Sequence, residues 1–366
     1  ALAKCFPEVE LEVVTTNRWR EAEVEVEATD DDLFPVRKVR PFLSRHIQLF
    51  AYDPRPIVAA MRAQRPHLID LNAEPFSVQC AEVLTLRNWL TPQVPVVLQC
   101  AQNILRGYPP PFSWFRRRAG NQAAAAYVCS ESVREVLRET GFRKPVRIIP
   151  FGVNLEAFHP RVASHPDASQ PLTIGFVGRM FPGKGLSVLG RALAKLSKQD
   201  WRLLVVGDGP ARESFAQMLD MFGLTSRARF TGAVGYEQLP EFYRQMDIAV
   251  VPSRTTKRVR EQFGRVIVEA MASGVPVIGS DSGAIPEVIG GAGVVVPHAD
   301  VDALAAAITQ LLTNENMRRE FARAGREHVE RHYSWELVAS QMYELFCDVL
   351  KPSVASDMTH SVEAAA

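Results

Sequence analysis

The sequence predicts an α/β protein of two Rossmann-like parallel-sheet domains facing across a cleft, and three observations predict it. Its 366 residues make room for two domains at the usual size of about 150 residues each. Short β-branched runs alternate with stretches of helical apolar period, the rhythm of βαβ units, whose parallel sheets are covered by helices. One segment, 161–171 (RVASHPDASQP), breaks that rhythm: it is polar, holds two prolines and has no apolar period, which marks a linker.

The elements follow in order. In the first domain, 1–160, strands fall at 9–14, 67–71, 95–98, 123–129 and 146–149, with helices at 56–65, 76–90 and 132–140. In the second, 172–334, strands at 172–177, 201–206, 228–230, 248–251, 276–279 and 293–296 alternate with helices at 185–198, 211–222, 238–246, 265–272 and 301–313. Residues 335–350 form a last amphipathic helix, expected to pack back on the first domain, and 351–366 is expected to be disordered.

Composition narrows the function. With 42 basic against 41 acidic side chains the formal charge is only +1, which argues against a nucleic-acid surface, because phosphate affinity needs a surplus of Lys and Arg. Five cysteines, Cys5, Cys80, Cys100, Cys129 and Cys347, form no CxxC pair and read as thiols in a reducing compartment. No apolar run reaches the ~18–20 residues that span a bilayer, and the N-terminus lacks a signal-peptide pattern, so the reading is cytoplasmic. Only three of the 22 glycines (Gly107, Gly120, Gly141) lie in 1–150, so anion-cradling loops are sought in the second half.

Three motifs there carry chemistry. Gly178, Gly183 and Lys184 nearly spell a P-loop, but the hydroxyl that would hold magnesium is replaced by Gly185, so the ATPase reading fails. What survives is an anion cradle with Arg179 and Lys184 as cations at a helix start; a plain strand-to-helix turn would explain the glycines but not both cations. Gly207-Asp-Gly209-Pro210 begins a dinucleotide fingerprint whose third glycine would be Arg212, which disfavours a nicotinamide dehydrogenase and suits a tight turn beside a cleft. Glu261 and Glu269 lie eight apart around Phe263 and Gly264, one at a helix mouth and one inside it. Both could be solvated helix charges, yet Glu269 sits among Val266, Ile267, Val268, Ala270 and Met271, where a carboxylate needs a partner.

Taken in order with Val250-Val251-Pro252-Ser253, Phe230-Thr231-Gly232, Asp281 to Val288 and Ile148 to Pro160, these motifs resemble the retaining glycosyltransferases of the GT-B fold, family 4. The resemblance is dense from about Tyr127 to Tyr343. It implies an enzyme that moves a hexosyl unit from a nucleotide-diphosphate sugar, UDP- or GDP-linked, to a hydroxyl acceptor, in glycan, glycolipid or secondary-metabolite biosynthesis. Arg179 and Lys184 would neutralise the diphosphate and Glu261 would bind donor-sugar hydroxyls, the three catalytic candidates. Glu269 would grip the ribose, the amides of Phe263 and Gly264 would lie close to the sugar, and Gly178, Gly207, Gly209 and Phe230-Thr231-Gly232 would line the donor. Leaving-group charge would be met by side-chain cations and helix amides, with no metal and no cofactor required. Retention implies front-face attack, so no protein nucleophile is nominated.

The pattern also departs from the family. A histidine commonly follows the strand matching 95–98; here Gln102 or Asn103 would supply that polar contact, or both merely cap a turn. Trp114-Phe115-Arg116-Arg117-Arg118 could touch an anionic membrane or a lipid-linked acceptor at the inner face, or be a solvated helix face. Asp30-Asp31-Asp32 imitates a metal-binding DxD but sits in a turn-like setting and reads as a solvated loop. The opening residues resemble the end of the first helix of such a domain, so the first strand and its Gly-rich loop are expected to be missing. Two rivals remain: a sugar-nucleotide 2-epimerase and a catalytically silent scaffold.

Overall fold

A computed structural model describes residues 1–21, 24–42, 48–161 and 170–351; most of the expected linker (162–169) and the expected disordered tail beyond Lys351 lie outside them. The first half runs α1 (Leu2–Cys5), β1 (Val13–Thr16), β2 (Arg18–Glu21), β3 (Val24–Glu27), β4 (Val36–Val39), β5 (Pro41–Phe42), β6 (Ala51–Tyr52), α2 (Pro54–Gln64), β7 (Ile69–Asn72), α3 (Val78–Leu90), β8 (Val96–Cys100), α4 (Phe112–Gln122), β9 (Ala125–Val128), α5 (Glu131–Glu139) and β10 (Val146–Ile148). Strands β7 to β10 form one parallel sheet in the order β10-β9-β8-β7, with Leu71 against Leu98 and Leu98 against Ala126. Strands β1 and β4 make a separate parallel pair, and β2-β3 and β5-β6 are antiparallel ribbons.

The second half runs β11 (Leu172–Val177), α6 (Leu186–Lys195), β12 (Trp201–Val206), α7 (Arg212–Met221), β13 (Ala228–Phe230), α8 (Leu239–Tyr243), β14 (Ile248–Val251), α9 (Arg265–Ala272), β15 (Val277–Ser280), α10 (Ile285–Ile289), β16 (Val294–Val296), α11 (Val301–Thr313), α12 (Glu315–His332) and α13 (Trp335–Leu350). Its six strands are all parallel, in the order β13-β12-β11-β14-β15-β16. The winding reverses between β11 and β14. At such a reversal the loops leaving the two strands diverge, and an open α/β sheet leaves a crevice beyond its carboxyl edge there.

Several elements differ from the sequence reading. The strand expected at 9–14 starts only at Val13, because its ladder with β4 begins at the Val13 and Val36 pair; Glu12 instead holds Arg37 at 2.6 Å. The helix expected at 238–246 is confined to Leu239–Tyr243 behind a 3-10 turn at Tyr236–Gln238. Helix α12 was not read at all: it buries only Gly325 and Val329, and ion pairs one turn apart run along it, such as Arg319 with Glu315 and Arg326 with Glu330.

The chain then returns. The Val153 amide donates to the Tyr333 carbonyl at 2.9 Å, and α13 lays Val338 and Leu345 on Val97, Ala125, Tyr127 and Ile149 of the first half. Phe6 stacks on Tyr343 at 4.0 Å beside it. Among the described residues no helix is long and apolar enough to cross a membrane.

Candidate functional site

Two βα turns build the floor of the crevice. The turn after β11 and the turn after β12 interlock: the Gly178 amide donates to Val206, the Met180 amide to the Asp208 carbonyl, and the Ala211 amide back to Met180. Gly207 is required here, since its φ is +129° and any Cβ would collide with the Gly178 carbonyl oxygen. Gly209 meets Met180 in the same way. The pair Gly207 and Gly209 thus serves turn-on-turn packing, while Asp208 ties down Arg212 at 2.7 Å. At the end of β13, Phe230 lies edge-on to Phe215 and under Arg212, the Thr231 hydroxyl donates to the Gly232 carbonyl, and that carbonyl accepts the Gly207 amide.

Across the reversal, Lys184 at the end of the β11 turn meets Glu261 on the segment that follows β14. Its ammonium donates to Glu261 Oε2 at 2.7 Å, and the Ser253 hydroxyl donates to the same oxygen at 2.8 Å. The Glu261 carbonyl accepts the Ala284 amide at 3.1 Å, and Gly283, with φ +62°, lets the backbone pass where a Cβ would strike that carbonyl. Glu261 Oε1 has no partner among the described residues. Of the two cradle cations, Lys184 is thus already paired with Glu261, whereas Arg179 is exposed and unpaired among the described residues.

Helix α9 opens at Gly264. The Phe263 ring is buried edge-on against Phe151 and Tyr333. The amides of Phe263 and Gly264 find no acceptor among the described residues, and a helix start offers such amides to an anion. One helix turn further in, Glu269 is 3% exposed. Burial pushes its carboxyl above the usual range, opposed by the Tyr243 hydroxyl, which donates to Oε2 at 2.9 Å, and by Arg265, 3.7 Å from Oε1. Tyr243 and Arg265 are the partners a carboxylate in that apolar stretch required. Sequence reasoning missed Tyr243, 26 residues upstream, and could have suspected Arg265 from its i,i+4 spacing.

The first half closes over this edge. Gln102 is committed to its own loop, donating to the Ile104 carbonyl at 2.8 Å and to the Tyr108 hydroxyl at 3.1 Å. Asn103 crosses the cleft and donates to the Glu261 carbonyl at 2.8 Å and the Arg260 carbonyl at 3.3 Å. Below that loop lies an acid the sequence reading passed over. Glu74 accepts the Ala101 amide at 2.9 Å, and burial lifts its carboxyl to about 7 against the pull of the Ala101 and Gln102 amides. Its plain setting, Asn-Ala-Glu-Pro, carries no signal. On α4, Trp114 is exposed beneath the Arg118 guanidinium, which also holds Thr85. In the aspartate run, Asp30 pairs with Lys38 and Asp31 caps Leu33.

Comparison with known proteins gives these residues a family. The sequence matches "Glycosyltransferase Family 4" over residues 2–157 and "Glycosyl transferases group 1" over 161–328. A phosphatidyl-myo-inositol mannosyltransferase of Mycobacterium leprae is 37% identical over 205 residues, 54% of this chain and 52% of that protein. A GDP-mannose-dependent alpha-(1-6)-phosphatidylinositol monomannoside mannosyltransferase of Mycobacterium tuberculosis is 28% identical over 242 residues, 63% of each chain. The matched stretch thus spans between half and two thirds of those relatives' lengths. Sucrose-phosphate synthase from Thermosynechococcus elongatus, 22% identical, superposes with a TM-score of 0.74 over 96% of this chain and 92% of its own, which makes the fold GT-B.

Proposed function

The chain belongs to the group 1 and family 4 glycosyltransferases, and from that premise we propose that it transfers a hexosyl unit from a nucleotide-diphosphate sugar to a hydroxyl acceptor. The observation that carries this is the Lys184, Glu261 and Ser253 cluster spanning the β11/β14 reversal, with Arg179, unpaired among the described residues, on the same loop as Lys184. The leaving diphosphate gains negative charge as the glycosidic bond breaks. Arg179, Lys184 and the amides of Phe263 and Gly264 would stabilise that charge, preset before it develops. Glu261 would accept a donor-sugar hydroxyl on Oε1 while Lys184 and Ser253 hold Oε2.

Glu269 would take the ribose hydroxyls. With Oε2 already accepting from Tyr243, the grip uses Oε1 and the second lone pair of Oε2. The base would lie along Phe230 to Gly232. A GDP-linked donor and an inositol-bearing lipid acceptor are the specific reading that the relatives' names support. Trp114 with Arg117 and Arg118, one turn along the same helix, would then face an anionic lipid surface from the acceptor side, while Arg116 on the opposite face is tied to the Arg106 carbonyl. We further propose that transfer proceeds with retention and without a metal, the two side-chain cations taking that role; activity that survives EDTA supports this, and loss restored by magnesium refutes it.

The test is a panel of GDP, UDP and ADP in thermal unfolding, followed by donor turnover with and without an inositol glycolipid. Nucleoside diphosphate released only when acceptor is present supports transfer. An altered sugar still carried on the nucleotide, formed without acceptor, favours an epimerase, and no nucleotide binding at all leaves a scaffold.

A further inference from the structure

The segment 258–262, which carries Glu261, belongs to no helix or strand, and the first half grips it along its length. The Arg258 carbonyl accepts from Arg106 at 3.1 Å, the Arg260 and Glu261 carbonyls from Asn103, and the Gln262 carbonyl from the Ser130 hydroxyl at 2.8 Å; the Gln262 side chain donates to the Ala101 carbonyl at 2.7 Å. From its own half the Glu261 carbonyl receives one donor, the Ala284 amide. Asn103 and Ser130 are the buried members of this set, 3% and 0% exposed; Asn103 is the one that reaches the Glu261 carbonyl, and a buried side-chain amide is held to the partners it meets. Its loop is in turn anchored, by Glu74 on the Ala101 amide and by Gln102 on the Ile104 carbonyl.

We propose that Asn103 is a positioning residue for Glu261: donated across the cleft to the Arg260 and Glu261 carbonyls, its amide sets the segment that presents the Glu261 carboxylate, so the donor site is complete only when the two halves are together. This rests on the reading of Glu261 as the donor-sugar carboxylate. The consequence is an interlock. A donor bound to separated halves would meet a Glu261 whose carboxylate Lys184 and Ser253 hold but whose backbone keeps only the Ala284 amide, and transfer would wait for closure, which also excludes water.

The test uses the full chain carrying Asn103→Leu, which keeps the size and removes the donors, and Gln262→Ala, an exposed position whose change leaves the fold intact. Amide hydrogen exchange over 258–264 should rise about tenfold in Asn103→Leu and less in Gln262→Ala, with α11 unchanged as internal control. With GDP-hexose as donor, kcat should fall about tenfold or more while GDP affinity holds within about threefold, because the amide acts on orientation rather than on nucleotide binding. Exchange at 258–264 equal to wild type in both variants overturns the interlock, as does an unchanged kcat. A fall in GDP affinity matching the fall in kcat overturns the positioning role in favour of general loss of structure. If the wild-type chain binds no nucleoside diphosphate, the donor-site reading of Glu261 fails instead, and the exchange contrast still decides whether Asn103 holds the segment.

Discussion

The two halves of the molecule prepare for a ligand in opposite ways. In the second half the side chains at the carboxyl edge are already held by protein partners: Glu261 by Lys184 and Ser253, Glu269 by Tyr243, and the two floor turns by each other. The first half brings the loop 101–106 and Ser130, whose polar groups serve as a latch, together with an acid poised near neutrality and an exposed Trp114 under the Arg118 guanidinium. On the proposed reading, the difference teaches that the second half would be preset for charge that develops in the reaction, whereas the first half would be the part that closes on it.

The sharpest way to break this contrast is to remove the preset cations. Arg179→Ala combined with Lys184→Ala should lower kcat/KM for donor turnover by about a thousandfold, as loss of transition-state charge stabilisation does elsewhere; steady-state kinetics with near-normal values would end the diphosphate assignment. Next in size is the floor itself. Gly207→Ala places a Cβ against the Gly178 carbonyl at a φ of +129° and should cost about 2–4 kcal/mol, read from urea unfolding.

A smaller effect separates the halves by pH. The Glu74 carboxyl is lifted to about 7 in the folded chain, so folding takes up a proton between the usual carboxylate range and neutrality. Its contribution to stability is therefore full at acid pH, declines as pH rises toward 7, and is flat above. Glu74→Gln should flatten that decline in urea midpoints measured from pH 5 to 8, and an unchanged slope would remove Glu74 as its source. The smallest expected effect is Trp114→Ala, within about 0.5 kcal/mol of wild type in stability because the ring is exposed. Its consequence should appear only in sedimentation with anionic vesicles, where weaker binding is expected and equal binding would discard the lipid-facing role.

The second half was legible in sequence because its strands read as apolar runs such as Leu172–Val177 and Ile248–Val251, the latter buried on both faces at the centre of the sheet. Helix α12 was not, because surface ion pairs rather than an apolar stripe mark it, and the charged strand β4 offered no apolar run. The same division holds in the site. Glu261, Glu269, Arg179 and Lys184 stand in local motifs, and the apolar neighbours of Glu269 announced that a partner was needed. Glu74 stood out in no motif, and Asn103 was singled out only as a polar candidate after the strand at 95–98, without its partners: those lie 157 and 158 residues away, and Glu74 acts on a backbone amide 27 residues on. Contacts of that kind are set by how the halves meet, which no local pattern encodes.

The central claim is that the carboxyl edge of the second sheet binds a nucleotide-sugar donor through Glu269 and the preset cluster around Glu261. Thermal unfolding with GDP tests it most directly, comparing wild type with Glu269→Ala. The account predicts that GDP raises the wild-type Tm by several degrees, as a ligand of the folded state does, and that Glu269→Ala abolishes most of the rise. A wild-type chain whose Tm is unmoved by GDP, UDP and ADP, or a Glu269→Ala chain that responds as wild type does, would contradict it.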